Sequence, residues 1–310
     1  MNSDLLSFFF KRVSEAFLTL LGLVILTFFL MKGLPGGPFD HEASLHPLVR
    51  EKLAQAWNID GSSWQQLASY VGSVLKGDLG WSMNQPGRSV MDILRTGWNQ
   101  TVILNFVAML VVLLLGTLFS YFGFLGEGKK LGAVVDSILV CLISLPGLFL
   151  GPILIWAFAF ELNWFPAAFL ESPLHYVLPV FTLALRPAAS LARLLLGTLR
   201  DLKNADFLRT ARAKGLSPSE VFWRHALRNS MVPVLTYGGP VFVGILSGSF
   251  LIEILFSTRG MGAAFADAVA ERDSTVILGL TLVYGALLVG VSFVIDLLLR
   301  WVDPRIREVS

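Results

Sequence analysis

Long runs of apolar residues recur along this chain of 310 residues and constrain its fold more than any other feature. Several of them extend for roughly 18 residues or more, the length that a helix needs to cross a hydrocarbon layer. Only 15% of the residues are charged, whereas soluble domains carry about a quarter. The sequence therefore predicts an all-α integral membrane protein.

Six transmembrane helices are predicted from these runs, joined by polar connections. They cover about residues 13–31, 101–124, 131–160, 176–196, 232–256 and 275–300. The third is longer than a span requires and contains Pro146 and Pro152, and proline kinks a helix. We therefore expect it to bend inside a bundle, where neighbouring helices satisfy the freed backbone groups. The first run is too long for a signal-peptide core, so we interpret it as a retained span.

The distribution of Lys and Arg predicts the orientation of the chain. Basic residues concentrate at the N-terminus, at Lys129 and Lys130, after the fourth span, and at the C-terminus. In the connection 32–100, six basic residues balance six acidic ones. The positive-inside rule then places both termini in the cytoplasm and makes 32–100 an extracytoplasmic loop or lid. Two amphipathic stretches in it, LVREKLAQAWNI and SVMDILRTGWNQ, predict short helices.

The residues that would support catalysis or metal binding do not occur in any familiar pattern. Cys141 is the single cysteine, and the four histidines are scattered, so no metal site is predicted. The segment GEGKK at 126–130 lacks the spacing and the hydroxyl of a phosphate-binding loop, and we expect it to be a turn. We therefore predict no catalytic residue and no cofactor in this chain.

Four ionisable residues lie within the predicted spans. Asp136 and Asp296 lie near the cytoplasmic ends of their helices, where snorkelling or a nearby arginine stabilises them. Arg186 lies in mid-span, directly before Pro187, where a cation normally faces a cavity or an acid. Two interpretations stay open: Arg186 lines a polar pathway, or it pairs with an acid such as Glu253.

The fifth span, GGPVFVGILSGSF, is rich in small residues. Gly244 and Gly248 have the spacing that lets helix backbones approach closely, either within the chain or at a subunit interface. Two residues with hydroxyl side chains, Ser247 and Ser249, flank Gly248. As candidate residues of a translocation pathway we take Arg186, Ser247, Ser249 and Glu253.

The segment FLRTARAKGLSPSEVFWRHALRN, residues 207–229, interrupts the apolar pattern after the fourth span. Ser217 and Glu220 form a predicted capping box, with Pro218 at the first helical position. Gly215 suits the left-handed end of a preceding helix over 201–214. The sequence thus predicts a helix, a glycine turn and a second helix from Pro218 to about residue 227.

Three interpretations of this basic segment compete. A cationic anchor on lipid headgroups needs only charge and not a capped helix. Nucleic-acid binding lacks a recognised motif, so no nucleic-acid partner is predicted. A docking helix would insert Phe222 and Trp223 into a groove of a cytoplasmic partner.

The chain resembles the inner-membrane permease subunits of bacterial ABC importers, within the dipeptide/oligopeptide/nickel group. DFLRTARAKGL and WRHALRN resemble that group's version of the "EAA" loop, here within 198–231. KGLPGGPF, GDLGWSM, YGGPVFVGILSGSFLIE, RGMG, ERD and DPRIR match its B-type oligopeptide pattern along essentially the whole chain. Where the general loop has Glu-Ala-Ala, this chain has Arg209-Thr210-Ala211.

The resemblance implies a type I ABC importer permease fold in a bacterial inner membrane, and a peptide-translocating function. It also implies a second permease as heterodimer partner, two ATPase subunits that bind MgATP, and an extracytoplasmic peptide-binding protein. The residues expected to couple the chain to an ATPase are Arg209, Ala211, Ala213, Gly215, Ser217, Glu220, Val221, Phe222, Arg224 and His225.

Other functions remain as alternatives at this point. A permease of the same group for nickel chelates or another small solute has the same architecture. A stand-alone channel or secondary transporter would work without ATP and commonly has an inverted repeat, and no repeat is visible. An intramembrane enzyme would need clustered catalytic residues, which the spans do not offer.

Overall fold

The computed structural model describes residues 2–33, 62–85 and 87–302. The predicted helix LVREKLAQAWNI and the motif DPRIR lie outside these ranges, as does most of KGLPGGPF. Within them the chain is helical apart from turns and loops, with one isolated antiparallel bridge between Trp81 and Ser89. The all-α prediction is confirmed.

The helices are numbered in chain order. They are α1 (Asn2–Gly33), α2 (Ser63–Leu75), α3 (Val90–Leu125), α4 (Lys130–Ser144), α5 (Gly147–Leu154), α6 (Val177–Asp201), α7 (Asp206–Ala213), α8 (Pro218–Val221), α9 (Leu227–Asn229), α10 (Met231–Leu255), α11 (Met261–Ala270) and α12 (Ser274–Val302). Helix α5 continues as the π-helical stretch Ile155–Glu161, and Phe222–Ala226 forms a π-helical turn between α8 and α9. Short 3₁₀ turns, Pro173–Tyr176 and Leu202–Asn204, flank α6.

Five helices in the described ranges are long and apolar enough to cross a membrane, and a sixth span arises if one bent pair is counted as a unit. The bent pair is Lys130–Ser144 with Gly147–Glu161, which meet at an angle of 106°. The break lies at Pro146, where the sequence predicts a kink. Because α4 ends at Ser144 and Pro146 has extended backbone angles, the bend is much sharper than a proline kink within a continuous helix.

Some predicted boundaries differ from the observed ones. The amphipathic stretch SVMDILRTGWNQ is not a separate loop helix, because α3 runs without interruption from Val90 through the predicted second span. The turn predicted at GEGKK is present, with Gly128 in the left-handed region at φ +73°. The sequence predicts a single transmembrane permease domain over 1–310. Within the chain two compact units can be distinguished.

The first unit comprises residues 1–99 and 260–289. Its largest core brings the start of α3 together with α11 and α12, through Val90, Leu94, Met261 and Leu280. A second cluster joins α1, α2 and α12. Asp273, 2% exposed, precedes α12 and accepts hydrogen bonds from the hydroxyl of Ser82, which is also buried, and from the amide of Val276 at 3.1 Å.

The second unit comprises residues 100–259 and 290–310, and α6 lies at its centre. In the most apolar part of the Pro173–Asn204 stretch, 56% of the residues are buried within the chain. The corresponding share in the first span is 11%. The main cluster packs α6 against α3 and α10 through residues such as Leu104, Leu191 and Ile245. Inside a bilayer such packing, rather than exclusion of water, holds helices together.

Candidate functional site

The basic segment after α6 forms two helices joined by a glycine turn, as its sequence predicts. The first of them, α7, begins at Asp206 and not at 201, because the 3₁₀ turn Leu202–Asn204 and the extended Ala205 separate it from α6. Helix α7 ends at Ala213, and Gly215 follows with φ +80°. The Oγ of Ser217 accepts a hydrogen bond from the Glu220 amide at 3.3 Å, and a Glu220 carboxylate oxygen accepts one from the Ser217 amide at 3.0 Å. The predicted capping box is confirmed.

The second helix is longer than predicted and changes its winding. From α8 the chain continues through the π-helical turn Phe222–Ala226 into α9, which ends at Asn229. The hydroxyl of Ser230 then donates to the carbonyl of Ala226 at 2.9 Å. A π-helical turn has more residues per turn than an α-helix, so it shifts the direction in which successive side chains point.

The inner face of this segment packs on the end of α3. Phe222 is fully buried, with its ring centroid 5.2 Å from that of Tyr121 and 5.5 Å from that of Phe124. Tyr121 also donates a hydrogen bond from its hydroxyl to Oγ of Ser219 at 3.1 Å. The prediction that Phe222 inserts into a partner therefore does not fit this structure, because its own chain already surrounds the ring.

The outer face of the segment is cationic and carries the aromatic ring of Trp223. Trp223 is 46% exposed, and it is surrounded in sequence by exposed basic side chains. Those exposed cations are Arg209, Arg212, Lys214, Arg224 and Arg228. Of the two aromatic residues predicted to dock, only Trp223 is available to a partner.

The other predicted coupling residues divide between the two faces. Ala211 and Val221 are buried in the inner cluster, whereas Ala213, Gly215 and Ser217 are exposed. Glu220 and His225 are half-buried. Hydrogen bonds from the amide and the hydroxyl of Ser217 hold the pKa of Glu220 below its ordinary value, and Arg224 contributes in the same direction.

Two ion pairs connect the end of α6 and the 3₁₀ turn after it to the region around α4. Arg200 lies 3.3 Å from a carboxylate oxygen of Asp136, and Lys203 lies 3.1 Å from one of Glu127. The arginine expected near Asp136 is therefore present. Both pairs are largely exposed, so each contributes little to stability.

Arg186 lines a groove of about 540 Å³ between α5, α6 and α10. The walls include Ser190, Tyr237 and Gly244, and the residues that line the groove include no Asp or Glu. Within the described ranges, Arg186 makes no ion pair. Of the two interpretations left open by the sequence, the pairing of Arg186 with Glu253 is not observed.

The other three candidate pathway residues lie away from this groove. Glu253 is 1% exposed and accepts a hydrogen bond from the hydroxyl of Thr101 at 2.7 Å. Ser249 is buried and donates to the carbonyl of Leu246, while Ser247 is exposed and donates to that of Val243. Of this predicted set, Arg186 lines the groove and the other three do not.

Comparison with known proteins places this architecture in a family. The model of the family described as "Binding-protein-dependent transport system inner membrane component" matches residues 113–308. The chain belongs to this family. The match includes the basic segment, the groove helices and the second compact unit apart from residues 100–112 and 309–310.

Full-length relatives of this permease carry names of peptide transport systems. The dipeptide transport system permease protein DppB of Bacillus subtilis is 37% identical over 297 residues, which cover 96% of each chain. The oligopeptide transport system permease proteins OppB of Haemophilus influenzae and Escherichia coli are 33% and 32% identical. Both alignments cover 98% of this chain and 100% of the relative.

Solved structures support the fold of the permease. A chain of the inward-facing MetNI methionine ABC transporter superposes with a TM-score of 0.55 at 17% identity, over 69% of this chain and 97% of that one. A chain of an amino acid ABC transporter gives a TM-score of 0.52, also at 17% identity, over 68% and 94%. The helical architecture is therefore that of ABC transporter permeases.

Sequence reasoning missed several residues of these sites. Tyr121 and Phe124 lie at the end of an apolar run, and nothing in their spacing distinguishes them from lipid-facing residues. Asp273 enters the sequence prediction only as part of the motif ERD. It directly precedes a stretch with a helical pattern that begins at Ser274, and an aspartate in that position is a typical N-cap signal. Its contact with Ser82 joins two of the motifs, GDLGWSM and ERD, in one loop structure.

Proposed function

We propose that this permease forms the translocation path of an ATP-driven importer of dipeptides or oligopeptides. Relatives named as permeases of dipeptide or oligopeptide transport systems align over 96–98% of the chain, so the whole permease, and not one shared region, supports the substrate class. These relatives are named as permease proteins, which is also consistent with a chain that catalyses no reaction. ATP is then hydrolysed by partner subunits that bind MgATP, and this chain requires no cofactor of its own.

The observation that carries the mechanism is the capped helix pair α8–α9 seated against the end of α3. The inner face is fixed by Phe222 and Tyr121, whereas the outer face presents Trp223 and several cations. A membrane anchor would not need the rigid cap at Ser217. A rigid helix with one buried face and one exposed cationic face suits a docking element that transmits movement.

In this proposal the exposed face docks on an ABC ATPase in the cytoplasm, and both chain termini lie on that same side. Closure of two ATPases around ATP displaces α8–α9, and the aromatic contact between Phe222 and Tyr121 passes the displacement to α3. Helix α3 extends for 36 residues, from the first compact unit into the second. Rigid-body rocking of the bundle then alternates access to the two sides of the membrane.

The proposed assembly contains a second, different permease, two ATPases and an extracytoplasmic peptide-binding protein in a bacterial inner membrane. Isolation of this chain from native membranes in mild detergent, followed by mass spectrometry of the intact complex, tests this composition. We expect two ATPase subunits for each pair of permeases, with peptide recovered from the binding protein.

The same preparation distinguishes the rival functions. A chain recovered without ATPases, and able to carry solute across vesicles alone, would be a channel or secondary transporter and would overturn the proposal. A complete complex whose binding protein carries a nickel chelate instead of peptide would retain the mechanism and replace the substrate class.

A further inference from the structure

The exposed side of α6 is cationic rather than apolar. Arg186, Arg193, Gly197 and Arg200 are exposed, and Ser190 between them is half-buried. At 3.6 residues per turn these five positions fall on one side of the helix, within about 40° of a common direction. We call this side the cationic face of α6. The remaining surface of α6 is mostly buried in the bundle.

A cationic face on a spanning helix needs a polar environment. Arg186 lies near the middle of the 32-residue stretch Pro173–Asn204, where a charge in contact with lipid is costly. Arg200 has Asp136 as a partner, whereas Arg186 and Arg193 make no ion pair within the described ranges. This face therefore needs water, an anionic ligand or an acidic group of another chain beside it in the membrane.

The groove beside Arg186 has the properties of a small-molecule site. Its volume of about 540 Å³ lies within the range typical of such sites. The hydroxyl of Ser190 donates to the backbone carbonyl of Arg186 at 3.2 Å. This bond involves the main chain of Arg186 and not its guanidinium group. Because Pro187 has no amide hydrogen, the carbonyl of Leu183, another lining residue, lacks its helical donor.

We propose that Arg186 binds the carboxylate of a peptide during its passage and that the groove is an anion-selective subsite, with Arg193 a second cation on the same face. This inference rests on the proposed peptide import. Charge complementarity favours a peptide as the occupant, since every peptide with a free C-terminus offers the carboxylate that a guanidinium binds through two hydrogen bonds. Because the carbonyl of Leu183 cannot accept from Pro187, it is the backbone acceptor that we assign to a peptide amide.

The most direct test measures which charge the groove admits, and it does not depend on transport. A cysteine is introduced at Gly244, where an added Cβ meets no atom within 4 Å, in a Cys141→Ser background. Methanethiosulfonate reagents with a sulfonate or a trimethylammonium group then react with the purified complex. A cysteine at Gly72 on α2, which also has open space, serves as the control site.

The proposal predicts a specific dependence of these rates on Arg186. Arg186→Gln should reduce the ratio of sulfonate to trimethylammonium reaction at residue 244 by about ten-fold, because the attracting charge is lost. Arg186→Lys should retain most of that ratio, and the ratio at residue 72 should not change. An unchanged ratio at residue 244 in Arg186→Gln, or no reaction with either reagent there and at Ser190→Cys, overturns the proposal.

A measurement of dipeptide uptake then tests the Arg186 subsite separately from the proposed peptide import on which it rests. Vesicles containing the complete complex are supplied with binding protein loaded with alanyl-phenylalanine, and Lys76→Ala serves as a matched loss of one exposed charge. We expect Arg186→Gln to reduce uptake by about ten-fold, the effect of losing a charge-assisted hydrogen bond, and Lys76→Ala to leave it unchanged. Normal uptake in Arg186→Gln overturns the subsite alone, whereas no uptake by the unmodified complex overturns peptide import.

A rival occupant is an acidic side chain of the second permease. In that case Arg186→Gln and Arg186→Ala would both release the second permease during purification, and this result would overturn the proposal. Retention of the second permease together with loss of the sulfonate preference supports it.

Discussion

The ring of Tyr121, near the end of α3, lies edge-on to the ring of Phe222 with 5.2 Å between the centroids. The same tyrosine holds Ser219 through its hydroxyl at 3.1 Å. A long spanning helix and a short basic helix are thereby joined by both an aromatic and a polar contact. In the proposed mechanism, a displacement of the short helix passes to α3 through this joint.

Removal of the Phe222 ring should separate docking from transport. Phe222→Ala leaves a cavity in the cluster and is expected to cost about 3–5 kcal/mol of local stability. We expect peptide uptake per ATP hydrolysed to fall several-fold in complexes that still contain all subunits. Phe222→Leu, which fills most of the space, is the control and should lose much less. Normal coupling in Phe222→Ala would contradict a transmitting role for the joint.

The capping box at Ser217 should determine the order of α8. Ser217→Ala removes the hydroxyl that accepts from the Glu220 amide, and the loss of such a cap costs about 1 kcal/mol. Amide hydrogen exchange in residues 218–229 should accelerate about five-fold, because 1.4 kcal/mol corresponds to ten-fold. Ser217→Asp preserves the cap and should exchange as the unmodified chain does. Equal exchange in all three chains would exclude the cap as a stabilising element.

Acidification should loosen the same helix through Glu220. Its pKa is lower in the folded chain than its ordinary value, so the ionised carboxylate stabilises the fold at neutral pH. This stabilisation is complete above the ordinary pKa of glutamate and is lost as the pH falls through the lowered one. Hydrogen exchange of residues 218–229, corrected for intrinsic pH dependence, should therefore rise over this acidic window. Glu220→Gln keeps the capping geometry and should remove the pH dependence.

Asp273 should stabilise the loop that contains Ser82. Its buried carboxylate accepts hydrogen bonds from the hydroxyl of Ser82 and from the amides of Met83 and Asn84 at 3.0 and 3.3 Å. Asp273→Asn loses the charge that strengthens these bonds, and we expect a loss of about 2–3 kcal/mol. The loop should then be cut faster by protease, and the measurement is the rate of limited proteolysis between residues 76 and 89. Asp78→Asn, which removes the charge from an exposed carboxylate that accepts from the Gly80 amide, should be cut at nearly the normal rate.

Gly97 permits α3 to approach the start of α11 in the first unit. A Cβ at this position would lie 2.6 Å from the amide nitrogen of Met261 and 2.7 Å from the carbonyl carbon of Gly260. Backbone atoms cannot move aside as a side chain can, so Gly97→Ala should lower the melting temperature of the purified chain by several degrees. Gly72→Ala, where the new Cβ meets open space, should be neutral or stabilising. Equal melting temperatures for the two variants would contradict this contact.

Local signals in the sequence predict much of this fold. The apolar runs predict the spans, and the residues Ser217, Pro218 and Glu220 predict the start of α8, because each acts through backbone groups only a few residues away. Gly215 predicts the left-handed turn for the same reason. Pro146 predicts where the third span breaks but not the 106° angle, which depends on how neighbouring helices pack.

The direction of individual side chains could not be predicted in the same way. Phe222 and Trp223 are adjacent aromatic residues in a short helix, and the apolar pattern cannot tell which one faces the chain. The π-helical turn and the distant residue Tyr121 decide that Phe222 faces inward. The sequence predicts that the charge of Arg186 in mid-span is energetically costly in contact with lipid. The groove beside it is formed by helices that are distant in sequence, so its shape follows only from the structure.

The most direct measurement of the central claim is ATP-dependent accumulation of a labelled dipeptide in vesicles that contain this permease with its second permease, its ATPases and its loaded binding protein. We predict that accumulation requires ATP and every subunit, and that the purified chain alone moves no peptide. Accumulation by this chain alone, in the absence of ATP, would contradict the account.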